Sequence, residues 1–117
     1  MESTGDIAHL WVVCAKPDEG ERVIVSVTSD GPHITDRACE IKAGEHEFVK
    51  HPSLAVFRKA KIVTVGDLTS WEARGNFRVK QPASDQLVSK LREGALDSKF
   101  TPRDVKQAIR ECWWSPE

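Results

Sequence analysis

The chain reads as a small mainly β domain, a barrel or sandwich over residues 8–82, with two helices over residues 84–112. Three observations predict this. Apolar residues in the first part either alternate or run unbroken in short stretches. Those stretches sit close together, separated by clusters of Pro, Gly and Asp. Beyond residue 84 the apolar spacing lengthens to about 3.6 residues, the repeat of a helix.

HLWVVCA (9–15) is an unbroken apolar run that stops at the turn signal KPDEGE (16–21). In RVIVSVTS (22–29), Val23, Val25 and Val27 share one side and Ile24, Ser26 and Thr28 the other. The two runs flank a short loop rich in Pro, Asp and Gly, so an antiparallel hairpin is expected. DGPHIT (30–35) is a loop, and DRACEIKAG (36–44) gives a strand ending at Gly44. In LAVFRKAKIVTV (54–65), Ala55, Phe57 and Lys59 alternate with Val56, Arg58 and Ala60. That pattern predicts a two-sided strand with a bend near Lys59. SWEARGNFRVKQPAS (70–84) is a mixed polar connector, either strand or loop.

The helical part is carried by two stripes. SDQLVSKLREGAL (84–96) aligns Leu87, Val88, Leu91 and Leu96, with Ser84 as the cap and Gly94 as the end. FTPRDVKQAIRECWW (100–114) opens with Thr101 as N-cap, Pro102 at the first helical position and Asp104 in the first turn. Val105, Ala108, Ile109 and Cys112 form its apolar stripe.

Composition narrows the class. A chain of 117 residues with 39% hydrophobic and 30% charged content suits one soluble globular domain. The formal net charge of -1 excludes a global basic field, so any nucleic-acid binding must use a local patch. No apolar run is long enough for a bilayer, and MESTGDIAHLWVV lacks the basic start of a signal peptide. Cys14, Cys39 and Cys112 are widely spaced and odd in number, which argues against a disulfide framework and for a reducing cytoplasm.

EHEFVKHPS (45–53) comes close to the zinc-protease string His-Glu-x-x-His. That motif needs its histidines four residues apart on one helical face. Here His46 and His51 are five apart, and Pro52 discourages a helix at His51. The segment is therefore expected to bind no metal, and no cofactor is implied. Cys39 with His33 and His46 also lacks the short fixed spacing of a ligand set.

HLWVVCA, RVIVSVTS, CEIKAGEHEFVKHPSLAVFRKAKIV and LREGALDSKFTPRDVKQAI together resemble the PemK/MazF-like toxin superfamily, in a divergent PemK-like branch. Thr28-Ser29 and His51-Pro52-Ser53 fall at the matching motifs. The resemblance implies an SH3-like β-barrel with two C-terminal helices. It also implies a homodimeric, metal-independent endoribonuclease acting on single-stranded RNA, neutralised by a cognate antitoxin protein. The chain departs from the usual pattern at its start and in the later strand. Gly5-Asp6 stands almost directly before the first strand, the loop with the usual catalytic arginine is missing, and Ala55-Val56-Phe57 occupies the place of a usual acidic residue.

Cleavage of this kind needs a base for the 2′-hydroxyl, an acid for the leaving oxygen and a donor for the phosphoryl charge. His51 suits the proton steps because histidine titrates near neutrality. Lys50 would stabilise the phosphate, and Thr28 and Ser53 would orient it. Ser29, Arg58, Lys59 and Lys61 are the expected RNA contacts, with Arg74, Arg78 and Lys80 following Trp71. The bland reading of the same residues is a polar loop in which Ser53 bonds backbone, and a solvated strand face with Trp71 in the core. Trp11, in an all-apolar run, is expected in the core. Trp113-Trp114 would cover the barrel or a dimer interface. The other function class is a non-catalytic barrel module binding RNA or a protein partner. A metal-binding regulator using the four histidines is a third reading.

Overall fold

The computed structural model describes residues 10–32, 35–46, 49–74 and 84–111. Along these residues run β1 (Leu10–Asp18), β2 (Glu21–Ser29), β3 (Glu40–Ile41) and β4 (Ser53–Thr64), then α1 (Val65–Ala73), α2 (Asp85–Asp97) and α3 (Arg103–Glu111). The architecture is mixed α/β: an antiparallel sheet in the order β1-β2-β4-β3, with helices packed on it. Among the described residues the sheet is open, with β1 and β3 as its edges, so strand pairing does not close the expected barrel. No helix among them is long and apolar enough to cross a membrane.

β1 and β2 form the expected hairpin, with Val12 opposite Val25. The strands run further into KPDEGE than the sequence suggests, leaving Glu19 and Gly20 to turn. Arg22 fixes that turn by donating to the carbonyls of Asp18, Glu19 and Glu21 at 3.2, 2.9 and 2.7 Å. The strand expected over 36–44 shrinks to Glu40–Ile41 because side chains capture the backbone on both sides. Asp36 accepts from the Ala38 N–H at 3.3 Å. Glu45 accepts from the Lys42 N–H at 2.7 Å. Gly44 then takes φ 93°, a left-handed conformation that glycine adopts without steric cost.

β4 bends where its sequence predicts. Val56 lies opposite Ser26, but Lys61 lies opposite Ile24, so residues 57–60 face Val25 alone. Such a bulge kinks a strand and tightens its twist. It also changes which side chains reach the core: Ala55 and Phe57 before it, Ala60 and Ile62 after it.

The inner face of the sheet, with Leu10, Val12, Val25, Val27 and Phe57, packs against Leu87, Val88 and Leu91 of α2 and Val105 and Ile109 of α3. Ser84 caps α2 as expected, its hydroxyl accepting from the Leu87 N–H at 3.1 Å. Gly94 does not end α2. It lies inside the helix and is buried, where it lets the backbone approach Cys39 and Phe57. Thr101 does not cap α3 either. Its hydroxyl is buried and has no hydrogen-bond partner among the described residues, and the helix begins two residues later. α1 was not expected, since residues 9–82 read as strands and turns. Its start is a capping box: Thr64 accepts from the Asp67 N–H at 2.9 Å while Asp67 accepts from the Thr64 N–H at 3.4 Å.

One long side chain joins three elements. Cys14 is an extra residue in β1, since Val13 pairs with Ile24 and Ala15 with Val23. Its carbonyl accepts from Arg92 Nη1 at 3.0 Å, and Arg92 Nη2 donates to the Ile109 carbonyl at 3.3 Å. Arg92→Ala should therefore lower stability by about 2 kcal/mol, the scale for losing partly buried hydrogen bonds from a charged donor. Urea unfolding checks this, and an unchanged midpoint would contradict it. Cys112, Trp113 and Trp114 fall outside the described residues, as do His33, Arg78 and Lys80. The dimer-interface expectation for the two tryptophans falls there with them.

Candidate functional site

The predicted catalytic residues gather at one end of the sheet but not on one face. Lys50 and His51 are exposed, in a non-helical segment before β4. His46 is buried instead, and its carbonyl accepts from the Val49 N–H at 2.9 Å. Ser53 opens β4. It is 7% exposed, and its hydroxyl donates to the His51 carbonyl at 2.9 Å. Ser29 lies opposite Ser53, and Thr28 lies opposite Leu54. Directly opposed residues share a face and successive residues alternate. Ser29 and Ser53 therefore share the inner face, and Thr28 projects from the outer one. The Asp30 N–H, donating to the Pro52 carbonyl at 2.9 Å, continues the pairing past the strand ends.

Three of the predicted RNA contacts lie on or just after the bulge of β4, while the fourth, Ser29, stays opposite Ser53 at the other end of the strand. Arg58, Lys59 and Lys61 are all exposed there. Lys61 Nζ lies 5.3 Å from the ring centre of Trp11 and 5.4 Å from that of Trp71. The ammonium is thus held against two indole rings, each contact contributing about 0.5–1 kcal/mol at an exposed site. Trp11 is not in the core as expected. Leu10 and Val12 take the inner face, which leaves Trp11 half-buried on the outer one. Trp71, on α1, is half-buried as well rather than in the core. Arg58 lies 5.1 Å above the ring of Phe100, and Lys99 lies 5.5 Å from the same ring. Lys99 and Phe100 were not expected at the site. They reach it from the link between α2 and α3, and no local pattern marks that placement.

A cleft of about 790 Å³ opens between the β3 edge and α2. Arg37 bridges its wall, with Nη2 2.7 Å from Asp30 and Nε 3.3 Å from Glu40. The hydrogen bond from Arg37 holds the Asp30 carboxyl below its usual pKa, and Asp30 in return raises that of Arg37. Lys90 Nζ sits 2.8 Å from Glu45, and this bond, with that from the Lys42 amide, holds Glu45 low. Cys39 lines the same cleft, and burial pushes its thiol up to about 11. At neutral pH it is a protonated, unreactive thiol. Among the described residues no three His, Cys, Asp or Glu side chains cluster as a metal site would require.

No family model matches the chain, and no curated protein or solved structure matches it.

Proposed function

We propose that the chain binds single-stranded RNA along the bulge of β4, as an SH3-like barrel of the PemK/MazF type. The observation that carries this is Lys61 between the half-exposed Trp11 and Trp71, with Arg58 and Lys59 exposed in the same strand. Bases stack on exposed rings and phosphates meet nearby cations, a combination that double-stranded partners do not use. None of these three cations forms an ion pair among the described residues, so their charge remains available to a polyanion. Within this reading the chain is the toxin of a toxin–antitoxin pair and cleaves the RNA without metal. His51 then moves the proton and Lys50 meets the phosphate. The second reading is a non-catalytic RNA-binding module. It is favoured by the position of Thr28 on the face opposite Ser53, and by the engagement of the Ser53 hydroxyl with backbone.

Fluorescence anisotropy with a labelled single-stranded RNA, in excess chelator, tests the binding. Trp11→Ala and Trp71→Ala should each weaken binding by about fivefold or more, the loss expected for one stacked base. Lys61→Ala should reduce the slope of log affinity against log salt by about one. Full binding by all three variants would sink the reading. Gel analysis of the same mixtures separates the toxin from the module: binding without cleavage leaves the module.

A further inference from the structure

We propose that the edge of β3, across the cleft from α2, takes up an extended segment of a partner protein with basic side chains at alternate positions. This surface is distinct from the aromatic and cationic band on the bulge of β4.

Backbone direction is the first ground. The Ala55 N–H donates to the Cys39 carbonyl at 3.1 Å, and Glu40 lies opposite Leu54. Hydrogen-bonding direction alternates along a strand, so Cys39 and Ile41 bond toward β4 and Glu40 turns its N–H and C=O outward. The outward amides on either side, of Ala38 and Lys42, are already occupied by Asp36 and Glu45. Neither backbone group of Glu40 is hydrogen-bonded among the described residues. The edge thus offers one donor and one acceptor at a fixed register, the opening that added-strand recognition uses. The two flanking carboxylates guard the remainder against unspecific pairing.

Room and charge supply the other grounds. The cleft runs between residues 37–43 and Lys90, Glu93, Gly94 and Asp97 of α2, and it has space for a chain in extended form. Arg37 is committed to Asp30 and Glu40, and Lys90 to Glu45. Glu93 and Asp97 have no cation partner among the described residues. Lys42 is the one cation of the lining without an ion pair among them, and two carboxylates outweigh it. Glu93 and Asp97 are one helical turn apart, about 6 Å along the axis. Alternate side chains of a strand are spaced by about 7 Å on one face. Lysines or arginines at alternate positions therefore meet the two carboxylates in turn, while an acidic segment would be repelled by both.

The test uses the full chain and a fluorescein-labelled peptide of alternating lysine and valine, with an alternating glutamate and valine peptide beside it. The lysine peptide should bind saturably and the glutamate peptide should not. The double variant Glu93→Lys/Asp97→Lys should weaken binding by about tenfold or more, as for charge reversal across an interface. Glu40→Pro removes the outward N–H, which an edge strand tolerates, together with the side-chain bond to Arg37, and should weaken binding similarly. Glu40→Ala keeps that N–H but loses the bond to Arg37, and it should bind as the parent does, which separates the backbone contact from the side-chain bond. Should Glu40→Pro fail to fold, N-methylation of the peptide replaces it. Methyl groups on alternate amides should then divide into one set that abolishes binding and one that does not. Equal binding of both peptides, or undiminished binding by Glu40→Pro or by the double variant, overturns the proposal.

Discussion

Gly94→Val should remove about 3 kcal/mol or more of stability, the upper range for overfilling a packed core. A Cβ at residue 94 would sit 2.8 Å from the Cβ of Cys39 and 2.9 Å from Cζ of Phe57. Neither neighbour can swing away. The Cys39 Cβ is fixed to the backbone, and the Phe57 ring is fully buried. The added atoms must therefore lift α2 from the sheet, and with it Leu87, Leu91 and the link from Arg92 to β1. Replacing a helical glycine by valine relieves less than about 1 kcal/mol of unfavourable propensity, which does not offset a clash of this size. Gly94→Ala should fall between parent and valine variant. Thermal unfolding followed by circular dichroism should show a drop of roughly 10 °C or more for the valine variant. An unchanged melting temperature would mean that α2 is not seated where described.

The second large effect belongs to His51. With purified protein, single-stranded RNA and excess chelator, His51→Ala should slow cleavage by about 100-fold or more, the usual weight of a positioned acid or base. Binding should persist, because His51 is exposed and stands apart from the bulge that carries Lys61. Products should end in a 2′,3′-cyclic phosphate and a 5′-hydroxyl, since the attacking group is the neighbouring 2′-hydroxyl. Thr28→Ala should cost less, as it removes one orienting donor. Cleavage by His51→Ala at the parental rate would displace the proton-transfer role from this residue.

Several elements were legible because local chemistry and tertiary context agree. The valines of β2 alternate in sequence and do so in space, and Ser84 has a free-standing capping signal ahead of an apolar stripe. The mixed RKAK stretch in β4 announced a bend because uniform alternation would have buried a lysine. Other elements were hidden for definite reasons. α1 has no fully buried residue, so no apolar stripe betrays it, and only Thr64-x-x-Asp67 marks its start. HLWVVCA is apolar on both sides, so the run does not say which side carries Trp11 outward. Gly94 has the sequence appearance of a helix end, while its role is to leave room for residues distant in sequence. The joining of Lys61 with Trp11 and Trp71 depends on the sheet register, which a single strand does not encode.

The bulge at residues 57–60 gives β4 two reading frames. Upstream, odd-numbered positions such as Ala55 and Phe57 face the helices; downstream, even-numbered positions such as Ala60 and Ile62 do. Removing one residue inside this stretch would rotate either the downstream or the upstream half through half a turn relative to β2. In the downstream case Lys61 would be driven toward the apolar core and Ile62 out to solvent. Length changes here are therefore tolerated only in steps of two. The Glu19–Gly20 turn, where both residues are exposed, carries no such parity rule.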